Sequence, residues 1–79
     1  MFRKRVRILE NRVEELRKNK GLSQEEFAKM IRVSRQTVSS IETGKYNPSL
    51  ELTFVIANCF EMSIEDIFLW KRGGRNEEK

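Results

Sequence analysis

The sequence predicts an all-α fold of five short helices, and three observations carry that expectation. Serine, a residue type that caps helix starts well, stands ahead of successive apolar stretches at Ser23, Ser34, Ser49 and Ser63. Apolar residues recur at helical spacing after each of these serines, as in helices that bury one face. Gly21, Gly44 and Pro48 fall between the stretches, where a helix is expected to stop.

The first ten residues read differently. In MFRKRVRIL, Phe2, Lys4, Val6 and Ile8 alternate with Arg3, Arg5, Arg7 and Leu9, a strand-like period with an arginine face. The spacing of Phe2, Val6, Leu9, Val13 and Leu16 would also suit a continuous helix. Asn11 decides between them, because it is a strong N-cap with Glu14 three residues on. The expectation is a short strand near Arg5–Leu9, then a helix from Arg12 to Asn19 that Gly21 terminates in the left-handed region.

The next two helices share one design. Ser23 and Glu26 form a capping box, with Leu22 and Phe27 at staple spacing, ahead of a helix over Gln24–Ile31 that turns Phe27, Ala28 and Ile31 inward. Arg32 to Ser34 leave room only for a tight turn. Ser34 then caps a helix over Arg35–Thr43, with Val33 and Val38 as its staple, Val38 and Ile41 inward and Gly44 beyond its end. In the KYNPS loop Pro48 cannot continue a helix, and Ser49 caps the fourth, Leu50–Phe60, with Leu52, Val55, Ile56, Cys59 and Phe60 as its apolar set. Ser63 opens the fifth, Ile64–Phe68, with Asp66 at its third position and Met62 and Ile67 as staple. The expected organisation is an N-terminal extension over 1–10, a helical domain over 11–70 and a patternless tail over 71–79. Val6–Leu9 and Phe68–Lys71 could pair as a short antiparallel β-sheet between the chain ends.

Composition narrows the function. Seventy-nine residues make one small domain that needs economical packing or a partner chain. Sixteen Lys and Arg against twelve Asp and Glu give a net charge of +4, which weakly favours a polyanion. With no histidine and one cysteine, an ordinary structural zinc site is excluded and the commonest general base is missing, so neither catalysis nor a cofactor is expected. Cys59 reads as a small buried hydrophobe. The apolar run after the basic start is too short for a secretory signal and no stretch could span a membrane, so the expected compartment is the cytoplasm. No small-molecule ligand is expected.

With Val38 and Ile41 inward, the helical period points Gln36, Ser39, Ser40 and Thr43 outward, with Arg35 at the N-terminal rim. Arginine can bond bidentately to guanine O6 and N7, and glutamine to adenine N6 and N7, while serine and threonine let a helix approach a duplex closely. The helix N-terminus adds a positive dipole suited to phosphate.

The run LSQEEFAKMIRVSRQTVSSIETGKYNPSLEL, together with SIEDIF, resembles the phage-repressor and Cro-like helix-turn-helix family, also called XRE. The resemblance extends from about Asn11 to Phe68. It implies a five-helix lambda-repressor-like DNA-binding domain of the small stand-alone type, usually homodimeric. By that resemblance Arg35, Gln36 and Ser40 match base-reading positions, and Thr37 and Ser39 contact bases or backbone. Gln24 looks like a phosphate clamp, with Lys45 and Asn47 meeting the DNA backbone from the following loop. Arg17 and Glu42 match a pair that commonly bridges the first and third helices. Two positions depart from the pattern, Arg32 and Glu61, where the family usually has glycine in the turn.

The expected function is therefore a sequence-specific transcriptional regulator, a homodimeric repressor on a DNA operator of approximate two-fold symmetry. Val6, Ile8, Phe68, Leu69 and Trp70 are the candidate dimer contacts, with the arginine-rich extension able to serve instead as an arm that reaches DNA. The rival is a protein-interaction module on the same fold, such as an antitoxin-like partner or a coactivator. The polar, nearly acid-free outer face of the third helix argues against it.

Overall fold

The computed structural model describes residues 10–69. Along the chain run β1 (Glu10–Asn11), α1 (Val13–Asn19), α2 (Gln24–Ile31), α3 (Arg35–Glu42), α4 (Leu50–Phe60), α5 (Ile64–Ile67) and β2 (Phe68–Leu69). The all-helical expectation holds, and so does the short antiparallel sheet between the chain ends, with Phe68 and Leu69 as one strand. β1 and β2 pair antiparallel, Glu10 opposite Leu69 and Asn11 opposite Phe68.

Each serine marked in the sequence caps its helix. Ser23, Ser34, Ser49 and Ser63 accept from the backbone N–H groups of Glu26, Thr37, Leu52 and Asp66 respectively. Only at α2 is the box closed, where the Ser23 N–H also donates to Glu26 Oε1 at 2.8 Å.

The first four helices end alike. A residue at positive φ follows each, and the next N–H donates five residues back, the closure of a Schellman motif. Gly21 (φ 73°) and Gly44 (φ 82°) fill this place after α1 and α3, and Arg32 (φ 64°) and Glu61 (φ 57°) after α2 and α4. The closing bonds are Leu22 to Arg17 O (3.1 Å), Val33 to Ala28 O (3.0 Å), Lys45 to Ser40 O (2.9 Å) and Met62 to Ala57 O (3.1 Å). For Arg32 and Glu61 the left-handed conformation costs about 1–2 kcal/mol each. Val33 and Met62, the residues that close those two turns, pack against the core and offset part of it.

Val13, Phe27, Val38, Ile41, Ile56 and Ile67 are fully buried and knit α1 through α5 into one core. Phe27 and Phe60 stack with ring centroids 5.2 Å apart, joining α2 to α4. Both helices of the central pair thus rest on a common floor, which leaves the outer face of α3 uncovered.

Several positions differ from expectation. Asn11 lies in β1, and Arg12 takes the N-cap position of α1, its side chain bonding Glu15 and Asp66 O and not capping the helix. The Asn11 side chain instead bridges, its Oδ1 accepting from the Val13 N–H at 3.0 Å and its Nδ2 donating to Ile41 O at 2.9 Å. α3 ends at Glu42, with Thr43 as C-cap, and α5 ends at Ile67, because Phe68 already has extended backbone and pairs with β1. On α4, Val55 faces outward and Thr53 inward. The buried stripe runs Thr53, Ile56, Ala57 and Phe60, a helical repeat that Val55 cannot join, and Thr53 tolerates burial because its hydroxyl donates to Ser49 O at 2.8 Å. Phe68 goes into the monomer's own core at 6% exposure, so little of it is left for a dimer contact. The strand anticipated at Arg5–Leu9, and Val6, Ile8 and Trp70, lie outside the described residues.

Candidate nucleic-acid interface

α2 and α3 are joined by Arg32, Val33 and Ser34, and the left-handed Arg32 makes that turn tight. α3 sinks Val38 and Ile41 completely, so its helical period leaves Arg35 and Gln36 exposed and Thr37, Ser39 and Ser40 half-buried. The residues expected to read bases therefore share one face, with Gln36 and Ser40 a helical turn apart.

The loop after α3 is folded back on it. Ser40 O accepts from the Lys45 N–H at 2.9 Å, the Tyr46 N–H at 3.2 Å and the Thr43 hydroxyl at 3.2 Å. That anchoring holds Lys45 and Asn47 exposed at the C-terminal end of the α3 face, opposite the end that carries Arg35. Tyr46, which the sequence reading passed over, is 46% exposed between them. No periodicity marks it, since it sits in a loop. Only its lack of burial singles it out.

Charge separates α3 from its neighbours. The first turns of α1, α2, α4 and α5 carry Glu14 and Glu15, Glu25 and Glu26, Glu51, and Glu65 and Asp66. The first turn of α3 carries none. Acids there offset the positive end of the helix dipole, so α3 alone among the described helices leaves that end unneutralised and beside Arg35.

Behind the face, Arg17 and Glu42 form a buried ion pair. Arg17 Nε lies 2.7 Å from Glu42 Oε2, and the side chains are 8% and 3% exposed. Arg17 Nη1 also donates to Leu22 O at 2.7 Å, tying the α1–α2 turn to the same point. The hydrogen bond to Glu42 raises the Arg17 guanidinium above its usual pKa, outweighing burial, so it stays charged. Gln24 is engaged within the protein, its Nε2 donating to Glu42 Oε1 at 3.0 Å and its Oε1 accepting from Arg35 Nη1 at 3.4 Å. Asn11 adds a bond at the same C-terminal end of α3, to Ile41 O.

Other chemistry finds little support. Cys59 is half-buried, and burial pushes its thiol up, away from the reactive thiolate. Among the described residues no group of three or more His, Cys, Asp or Glu could hold a metal ion, and no helix is long and apolar enough to cross a membrane.

Comparison with known proteins agrees with this geometry. The sequence profile of the helix-turn-helix family matches residues 13–67. An uncharacterised HTH-type transcriptional regulator of Methanocaldococcus jannaschii is 48% identical over 63 residues, covering 80% of this chain and 96% of that protein. The uncharacterised HTH-type transcriptional regulator YgzD of Bacillus subtilis is 47% identical over 60 residues, covering 76% and 91%. Among solved structures, the restriction-modification controller protein C.AhdI of Aeromonas hydrophila superimposes with a TM-score of 0.64 at 34% identity, covering 70% of this chain and 83% of that one. With a profile match across most of its length and relatives this similar, the chain belongs to the helix-turn-helix family of DNA-binding transcriptional regulators.

Proposed function

We propose that two copies of this chain bind an operator of approximate two-fold symmetry and repress transcription there. Each copy inserts α3 into a major groove, at half-sites about one helical turn (~34 Å) apart. Arg35, Gln36 and Ser40 read base edges, with Thr37 and Ser39 on bases or backbone and Lys45 and Asn47 on phosphates. The observation that carries this reading is the α3 face itself, polar, short in side chain, and unlike every other described helix free of acid in its first turn.

The dimer draws on apolar surface that the monomer leaves open. Leu50 and Phe54 on α4 are 70% and 53% exposed and stand one helical turn apart, an apolar patch that a second copy would cover. A sedimentation run at micromolar concentration that shows only the 9.4 kDa species would remove the dimer from the reading.

Selection of bound sequences from a random duplex pool, followed by gel shifts with salt titrated, tests the DNA claim. A two-fold-related consensus is expected. Against it, Arg35→Ala costs about 1–3 kcal/mol and relaxes preference at one base pair in each half-site. Lys45→Ala weakens all duplexes alike and lowers the salt slope by about one. No enrichment from the pool, or an unchanged affinity for Arg35→Ala, would overturn the base-reading role.

A further inference from the structure

A chain of hydrogen bonds runs from the buried ion pair to the first exposed side chain of α3. Arg17 Nε and Nη2 donate to Glu42 Oε2 and Oε1 at 2.7 and 3.3 Å. Glu42 Oε1 accepts in addition from Gln24 Nε2 at 3.0 Å. Gln24 Oε1 then accepts from Arg35 Nη1 at 3.4 Å.

The order of donors and acceptors in this chain is dictated from its buried end. An ionised carboxylate only accepts and a guanidinium only donates, whereas an amide does one at each end. Arg17 occupies both Glu42 oxygens with donors, at 2.7 and 3.3 Å, and the Glu42 side chain is 3% exposed. The end of Gln24 that meets Glu42 must therefore be its NH2, and its carbonyl must turn outward to the guanidinium of Arg35. The reversed amide would set oxygen against oxygen at Glu42 and NH2 against a cation at Arg35. Glu42 thus decides which face of Gln24 the recognition helix meets.

We infer that Glu42, acting through Gln24, is the positioning residue that aims Arg35 and so helps set which base α3 prefers. The inference rests on the reading of Arg35 as a base-reading side chain. Arg35 is exposed, and its other described neighbours in the turn, Ser34 and Thr37, bond to one another at 2.9 Å, not to the guanidinium. One of the five donors of a guanidinium is drawn toward α2, which leaves the Nε and Nη2 edge for a bidentate contact. At 3.4 Å the last link is long, so it biases where the side chain rests rather than binding it firmly. Its effect belongs in discrimination between bases. This differs from a phosphate clamp, which contributes to every duplex equally.

The test compares Q24M, E42Q and R35A on the selected operator and on duplexes changed at each base pair. Q24M leaves the Arg17–Glu42 pair intact and keeps an unbranched helix former of similar length, so it should fold. It is expected to lower discrimination about three- to tenfold at the base pair that R35A identifies, the scale of ordering one long side chain, with other pairs and the salt slope unchanged. Q24M combined with R35A should be no worse than R35A alone. E42Q, assayed well below its melting temperature, should lose discrimination at that same pair. A uniform loss on all duplexes with a smaller salt slope would make Gln24 a phosphate contact and overturn the inference, as would no change in Q24M. A loss in E42Q spread evenly over all base pairs would reduce Glu42 to a structural role. If R35A itself left discrimination intact, the base-reading assignment would fall and the positioning role with it. Loss in R35A without loss in Q24M would overturn only the positioning role.

Discussion

α2 and α3 are built almost alike and end up with different work. Each has eight residues, starts from a serine cap and buries one stripe against the same core. Their first turns differ. α2 carries Glu25 and Glu26, which satisfy its own dipole and, at Glu26, close the capping box. α3 carries Arg35 and Gln36 and makes no such internal provision. The scaffold helix is stabilised locally, whereas the outward helix keeps its positive end available and relies on neighbours for support. Those neighbours are Arg17, which pairs with Glu42 of α3, and Asn11, which donates to Ile41 O, both at the C-terminal end of the helix. A surface that must meet another molecule gives up some local stabilisation, and tertiary contacts make up for it.

The largest test of that comparison removes the tertiary support. Arg17→Ala strands the Glu42 carboxylate in a buried site and is expected to cost about 3–5 kcal/mol in urea unfolding. Replacing both partners by apolar residues of similar volume, Arg17→Met with Glu42→Leu, should recover most of that loss. If Arg17→Ala cost less than about 1 kcal/mol, the support given to α3 would have to come from elsewhere.

Exchanging the first-turn charges tests the comparison directly. Gln36→Glu gives α3 what α2 already has. It should raise thermal stability by about 0.3–1 kcal/mol while costing on the order of 2–3 kcal/mol of duplex affinity, because the new carboxylate faces phosphate. Glu25→Gln on α2 should do the opposite to folding, a loss of about 0.3–1 kcal/mol, and leave discrimination between duplexes unchanged. Duplex affinity that survived Gln36→Glu would place the groove-facing surface elsewhere.

The smallest effect lies in the turn between the two helices. Arg32→Gly relieves about 1–2 kcal/mol of left-handed strain but loosens the unfolded chain, so a net gain of roughly 0.5 kcal/mol is expected. Gly21→Ala, at φ 73° with open space around it, should lose about 1 kcal/mol for the converse reason. Paired thermal melts of the two variants measure both, and a destabilised Arg32→Gly would show that the Arg32 side chain contributes more than its backbone costs.

Several of these features could be read before any fold was known. Ser23, Ser34, Ser49 and Ser63 announce helix starts because capping is a contact between residues three apart, carried by local sequence. The inward turn of Val38 and Ile41, and with it the outward display of Arg35 and Gln36, follows from the helical period alone. Asn11 is legible only in part, for the complementary reason, although its Oδ1 does accept from the Val13 N–H at the start of α1. Locally it is a good cap, yet its NH2 finds Ile41 O thirty residues away, and pairing of Asn11 with Phe68 holds it in β1. Thr53 and Val55 exchanged places because hydropathy ranks them one way and the angle around α4 the other.

The sequence by itself thus determined the number of helices, the starts of α2 to α5, the inward stripes of α2 and α3 and the residues α3 shows to solvent, since all of these depend on neighbours within a turn. Only the tertiary structure decided that Phe68 completes the monomer's core, that Asn11 ties the terminal sheet to α3, and that Gln24 faces Glu42 inside and Arg35 outside. Those are meetings between distant parts of the chain, and a hydrogen bond or buried contact between them exists only once the core has brought the helices together.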